Sequence, residues 1–345
     1  MTMTETDILA AEGLDRKRKR KKNGKKEKFD PYQVVTDKIV DYFESGKFEK
    51  MPQLWARLGS PRNAFTGRGY NGINVLLLMI RADEEGWTNP LFLTFNQVKK
   101  VSEKFEHLNE TETVDGKERT VYPAFVKKGT KGEAVCFWKR IKVKDDEAPG
   151  GERTIPLLRL YTVFNVDQIE SKPEVREYLE RHKDVVMQYD NDGIRNEAID
   201  LFLSHIGSKV SHRGNQAAYD WSADNLRMPK INTFATMDAY YAVRFHEEVH
   251  RTGHESRLAR DLKNRFGSDA YAFEELVAEL GAAFLCADFS IHQEHWRHHA
   301  EYVRIWTKRM REDSKSIFKA ASLANAAVNY LWEMQPKDLR NAETD

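Results

Sequence analysis

His246, Glu247, Glu248, Val249 and His250 form the string HEEVH, in which two imidazoles stand four residues apart with a carboxylate directly after the first. On a helix, residues four apart share a face, so both rings can reach one metal ion while Glu247 sits beside an open coordination position. That arrangement belongs to zinc hydrolases, where the metal activates water and the glutamate acts as general base. A third ligand must come from elsewhere in the chain.

The elements around the motif fit this reading. Thr236 or Asp238 can cap a helix on which Ala239, Val243, His246, His250 and Gly253 fall along one stripe. Beyond a loop containing Gly267, Ser268 and Asp269 can open a second helix, from Tyr271 to Cys286, that carries carboxylates among apolar residues. Glu275 and Glu279 are four apart on it, on a face shared with Ala278 and Ala282, whose small side chains permit close helix approach. Glu275 is assigned as third ligand and Glu279 as the acceptor that orients a ligand imidazole through its other ring nitrogen. Glu274 is expected about a quarter turn away, toward solvent. Glu279 and His254 remain alternatives for the third ligand. Tyr219 or Tyr271 can supply the donor that a tetrahedral oxyanion needs.

With those residues in view, the stretch His246 to Arg260 (HEEVHRTGHESRLAR) and the stretch YAFEELVAELGAAFL from Tyr271 resemble the zincin-type metallopeptidase domain of ArdC-type antirestriction proteins from plasmids and phages. Residues 218–229 resemble the strand that leads into that family's metal helix. The strings 61–74 (PRNAFTGRGYNGIN), 127–132 (KKGTKG) and 160–168 (LYTVFNVDQ) resemble its N-terminal half, so the likeness spans about residues 31–333. Residues 101–121 look like an insertion.

The resemblance implies a single-stranded DNA-binding domain before the zincin domain, a Zn2+ cofactor, protection of incoming DNA from restriction, and a host protein as a peptide substrate. The expected fold class is α+β in two domains: a small mixed α+β DNA-binding domain and a mainly helical zincin-like domain with a small sheet. The expected boundaries are a basic tail at 1–28, the DNA-binding domain at 29–170, a linker at 171–190, the metallopeptidase domain at 191–335 and a tail at 336–345.

Single-stranded nucleic acid requires cations for phosphates and aromatic faces for unpaired bases. Arg62, Asn63, Phe65, Arg68, Tyr70 and Asn74 in and after a Gly-rich loop, together with Lys127, Lys128, Lys131 and Trp138, are the candidate DNA contacts, with Trp55, Lys139 and Arg140 nearby. Phe65 and Tyr70 are the preferred stacking residues, since a Gly-rich loop favours exposure.

The whole-chain balance conceals a basic segment. The net charge is +1, yet residues 1–28 hold ten Lys or Arg and five Asp or Glu, which is +5 and leaves −4 for the remainder. Such a block is expected to stay unstructured and to serve as a solvated tail or a salt-sensitive arm on phosphates. Only Cys136 and Cys286 occur, which argues against a disulfide framework and for a reducing, cytoplasmic location. Apolar stretches such as Ile73 to Ile80 are far shorter than the roughly 20 residues a bilayer requires, so no membrane role is expected.

Further elements are expected along the chain. A capped helix starts at Asp30 and Pro31 with Val35, Ile39, Tyr42 and Phe43 inward, and a buried helix covers Ile73 to Ile80. Strands cover 134–143 and 157–166. A helix at 194–206 carries Ile194, Ala198, Leu201 and Phe202 on one side. Asn225 to Met228 forms an edge strand for an extended peptide, and a long helical region covers Tyr302 to Leu331. His292, His295, His298 and His299 read as a polar helix face rather than a second metal site.

Overall fold

The computed structural model describes residues 29–47, 58–114, 117–144, 152–183, 196–261, 268–291 and 299–337. Its α-helices are α1 (Pro31–Glu44), α2 (Ile73–Glu85), α3 (Phe95–Lys104), α4 (Pro173–Glu180), α5 (Glu197–Ile206), α6 (Met237–Thr252), α7 (Asp269–Asp288), α8 (His299–Glu312) and α9 (Ser316–Glu333). The strands are β1 (Arg62–Asn63), β2 (Leu91–Thr94), β3 (Glu110–Val114), β4 (Lys117–Val121), β5 (Ala124–Val126), β6 (Glu133–Lys144), β7 (Glu152–Asn165), β8 (Ile169–Ser171), β9 (Val210–His212), β10 (Ala218–Asp220) and β11 (Asn225–Met228). The class is α+β.

The chain divides into two compact units, residues 1–35 with 91–181, and residues 36–90 with 182–345. This cut differs from the linear boundaries expected, because residues 36–90 fold with the helix that carries HEEVH. The reason is packing. Helix α2 is buried along most of its length, from Ile73 to Ala82, and an element apolar all round needs helical neighbours. It finds one in α9, where Gly72 lies against the Ala321 carbonyl and donates its N–H to the Asn325 side chain at 3.2 Å. Tyr42 on α1 donates to Asp83 on α2 at 2.7 Å, and Thr36 donates to the Ser314 carbonyl at 2.7 Å. Within the expected linker, Ser171 ends β8 and α4 occupies Pro173–Glu180.

In the first unit, β7 pairs antiparallel with β2 and β6, and the β6–β7 ribbon runs in register from Glu133 opposite Val163 to Lys144 opposite Glu152. Helix α3 starts in a capping box, with Thr94 accepting from the Gln97 N–H and the Gln97 side chain accepting from the Thr94 N–H. It buries Val98 and Val101. Residues 101–121 supply the end of α3 and the β3–β4 hairpin, whose described side chains are mostly exposed.

The second unit is mainly helical. Helices α6 and α7 pack on each other and α9 packs on both. Beneath them Phe202, Phe245, Phe289 and Trp332 cluster with ring centroids 4.8 to 6.2 Å apart. A small sheet in the order β10-β11-β9 completes it, β11 being antiparallel to β10 and parallel to β9.

Several expectations change here. Strand β11 lies between two partners, so Asn225 to Met228 is not an edge; Ala218 to Asp220 in β10 is. Helix α5 buries Ile199, Phe202 and Ile206, while Leu201 is exposed, because the inward stripe sits one position round from the one expected. The C-terminal helical region is broken between Glu312 and Ser316, where Ser316 N–H bonds the Asp313 carbonyl at 3.0 Å. The basic tail, Trp55, Ile194, Gly267, His292, His295 and His298 lie outside the described residues.

Candidate metal centre

Thr236 caps α6 by accepting from the Ala239 N–H at 3.1 Å, and Ser268 caps α7 by accepting from the Tyr271 N–H at 3.2 Å. These two starts fix the phase of both helices. Gly281 then brings them together: a Cβ there would stand 2.8 and 3.0 Å from the two methyl carbons of Val249, inside HEEVH. The close approach rests on this glycine, beyond the Ala278 and Ala282 expected. On α6, away from the imidazoles, Glu248 accepts from Arg244 at 2.9 Å and bonds Ser208, tying the metal helix to the chain after α5.

The geometry brings His246, His250 and Glu275 together. The two Nε2 atoms are 3.1 Å apart, and the Glu275 carboxylate lies 3.6 Å from Nε2 of His246 and 3.4 Å from Nε2 of His250. One donor atom from each residue falls within 4.8 Å of the others. Two imidazole nitrogens and a carboxylate oxygen pointing at a common volume make a donor set that fits a divalent transition metal. Glu247 is buried beside them. His254 is not part of this group; its Nδ1 bonds the Ser256 hydroxyl at 2.8 Å.

The outer partners differ from expectation, since Nδ1 of His246 has no hydrogen-bonded acceptor among the described residues. Glu279 stands 3.7 Å from Nδ1 of His246. Glu274, expected toward solvent, is buried and lies 3.2 Å from Nδ1 of His250. Helix α7 is buried around nearly its whole girth, so no solvent face was available. Arg260 closes over Glu274, donating to it at 2.8 and 3.1 Å, and anchors itself on the Val249 carbonyl at 2.7 Å and the Thr252 hydroxyl at 2.8 Å. The sequence offered no signal for Arg260, because the chain path after α6 decides where it lands.

Charge follows this geometry. Burial pulls both imidazoles down, but the surrounding carboxylates outweigh it, raising His246 well above its ordinary value and His250 to about 9. Glu275 and Glu274 respond in the opposite sense, held below the usual carboxylate range despite burial, Glu275 by both histidines and Glu274 by His250 and Arg260. The tyrosines left open by the sequence also separate. Tyr219 donates to Asp224 at 2.7 Å and accepts from Arg257 at 2.9 Å. Tyr271 faces the centre, its hydroxyl held protonated by burial and by the charges of Glu275 and Glu247.

The candidate DNA residues fall in both units. In the second, Asn63 organises the loop, its side-chain oxygen accepting from the Phe65 N–H at 3.1 Å and the Thr66 N–H at 3.0 Å. Phe65, Tyr70, Arg62 and Asn74 are half-buried and Arg68 is exposed, so the exposure expected for the two preferred aromatics is only partial. Burial pushes the Tyr70 hydroxyl up to about 12. In the first unit, Lys127 is ion-paired with Glu170, while Lys128, Lys131 and Trp138 are exposed.

Residues 197–323 match the family described as zincin-like metallopeptidase, and residues 29–164 match the N-terminal domain of anti-restriction factor ArdC. An uncharacterized protein, y4eC of Sinorhizobium fredii (strain NBRC 101917 / NGR234), is 33% identical over 323 residues, covering 90% of this chain and 94% of its own. A DNA primase TraC from Escherichia coli is 27% identical over 329 residues, which is 90% of this chain but 20% of TraC. Among solved structures, the metal-free antirestriction ArdC protein from the R388 plasmid superimposes with a TM-score of 0.70 at 32% identity, covering 89% of this chain and 98% of that one. Its Mn(II)-bound form gives 0.67 at 31% identity, with the same coverage. Among the described residues, no helix is long and apolar enough to cross a membrane.

Proposed function

This chain belongs to the family of ArdC antirestriction proteins, and from that premise we propose that it binds single-stranded DNA, protects incoming DNA from restriction and carries a working zinc peptidase site. The observation that carries the peptidase reading is the convergence of His246, His250 and Glu275 beside a buried Glu247. A site that only held a metal in place would have no use for a general base at that position.

His246 and His250 through Nε2, and Glu275 through its carboxylate, would hold the ion. Zinc is proposed because two imidazoles and one carboxylate with an open fourth position suit a catalytic zinc site; the Mn(II)-bound relative supports a divalent ion in this fold. When bound, the ion supplies Lewis-acid polarisation of a carbonyl and an activated water. The chain supplies the rest. Glu247 takes the proton from the attacking water and returns it to the leaving amine. Tyr271 stays protonated and can donate to the developing oxyanion. Glu274 accepts from the Nδ1–H of His250 and fixes that ring plane, while Glu279 stands near Nδ1 of His246 as a charge rather than as a bonded acceptor. Among the described strands β10 pairs only with β11, and a peptide can extend the small sheet along its other side.

The test compares wild type with Glu247→Gln for metal content, hydrolysis of a casein or peptide-library substrate, and protection of transforming DNA. The reading expects retained metal with hydrolysis lost. Metal retention with hydrolysis unchanged overturns the role of Glu247, and protection that survives the substitution separates antirestriction from peptidase chemistry.

A further inference from the structure

Alternation along β6 and β7 places Phe137 and Lys139 on the same face as Arg159 and Tyr161, with Phe137 directly opposite Arg159 and Tyr161 opposite Val135. Toward β2 this face is covered, Val135 being 6% and Val163 1% exposed. One step further the cover ends. Phe137 is 55% and Tyr161 44% exposed, and their rings meet edge to face with centroids 5.9 Å apart. Arg159 and Lys139 are exposed beside them, and no ion pair engages either among the described residues.

Two large rings left open to water, carried by a paired ribbon and flanked by cations that no ion pair engages among the described residues, define a ligand. The core of a protein interface is depleted in charge. A strand of unpaired bases matches the pattern instead, its rings stacking on aromatic faces while its phosphates meet the cations. We propose that this face of the β6–β7 ribbon is a stacking platform for single-stranded DNA, with Phe137 and Tyr161 as base contacts and Arg159 and Lys139 as phosphate contacts. The assignment rests on the DNA-binding part of the function proposed above and adds a location for it. Trp138 points to the opposite face of the ribbon, where its indole N–H donates to the Tyr32 hydroxyl at 3.4 Å; of the residues singled out from sequence, the platform takes in Lys139.

The experiment is fluorescence anisotropy of a labelled oligothymidylate of roughly 15 nucleotides with the full chain. Phe137→Ala with Tyr161→Ala should raise the Kd at least about thirtyfold, while Phe137→Trp with Tyr161→Phe, which keeps both faces, should hold it within about threefold. Arg159→Gln should lower the salt slope of binding by about 0.7. Wild-type binding that the alanine pair leaves unchanged overturns the platform while leaving the DNA-binding function standing. Absence of wild-type binding overturns both. A change in oligomeric state with DNA affinity intact overturns the platform in favour of a protein contact. Circular dichroism checks the fold, and if the alanine pair misfolds, the tryptophan–phenylalanine pair and Arg159→Gln decide.

Discussion

Replacing Glu274 by Gln removes one charge and almost no volume at a point where the structure makes it matter. The carboxylate accepts from Arg260 at 2.8 and 3.1 Å and lies 3.2 Å from Nδ1 of His250, with both partners nearly buried. Oε1 accepts from both His250 and Arg260 Nη2, so the amide oxygen can keep those two donors, but its NH2 must then face the Arg260 Nε–H that Oε2 accepts from, setting donor against donor. Breaking one side of a buried charge pair costs about 3–5 kcal/mol. Arg260 keeps its bonds to the Val249 carbonyl and the Thr252 hydroxyl, so the loss should sit at the lower end, about 3 kcal/mol. For the metal, a neutral amide in place of the carboxylate weakens the partner of a ligand imidazole, which should lower affinity by about 10-fold, the lower end of the cost of losing such a partner. Glu279→Gln should cost less, because Glu279 stands 3.7 Å from Nδ1 of His246 and makes the longer contact. Urea midpoints in chelator give the stability, and competition with a zinc chelator gives the affinity. A folded Glu274→Gln with unchanged zinc affinity, or a larger loss in Glu279→Gln, would refute the assignment of Glu274 as the main orienting carboxylate.

Three further outcomes follow from the same geometry. Gly281→Ala should lower stability by about 1 kcal/mol, since overpacking against Val249 exceeds what removing a helical glycine gains; Gly281→Val should cost more, and a stabilised alanine variant would contradict the close approach. The metal-free protein should lose stability as pH rises: His250 titrates at about 9 in the fold against about 6.5 unfolded, so its contribution is complete below the lower value and gone above the higher. Denaturation midpoints that stay flat across that window would count against it. Tyr271→Phe should lower kcat about 100-fold with zinc affinity and KM little changed, and an effect confined to KM would place the hydroxyl on substrate binding instead.

The metal motif was legible because a helix turns HEEVH into geometry, and the capping residues Thr236 and Ser268 announce both helix starts. Helical spacing put Glu275 on one face with Glu279 and left both open, and only the packing of α7 on α6 sets Glu275 against the two imidazoles. Glu274 did not, because spacing says where a side chain points but not whether water waits there, and the burial of α7 depends on neighbours far along the chain. The same limit explains β11, whose flanking by β9 and β10 on both sides is a tertiary fact, and the division of residues 36–90 from 91–181. Trp138 and the lysines stood out by type, whereas Phe137, Arg159 and Tyr161 become a surface only once the register of β6 against β7 is known.

The most direct test of the metal centre is a crystal structure of the zinc-loaded chain with anomalous difference density. The account predicts a single ion held by Nε2 of His246, Nε2 of His250 and the carboxylate of Glu275, with Glu247 facing the fourth position and Glu274 bonded to His250. An ion held by Glu274, Glu279 or His254 in place of Glu275, or no density between the two imidazoles, would contradict it.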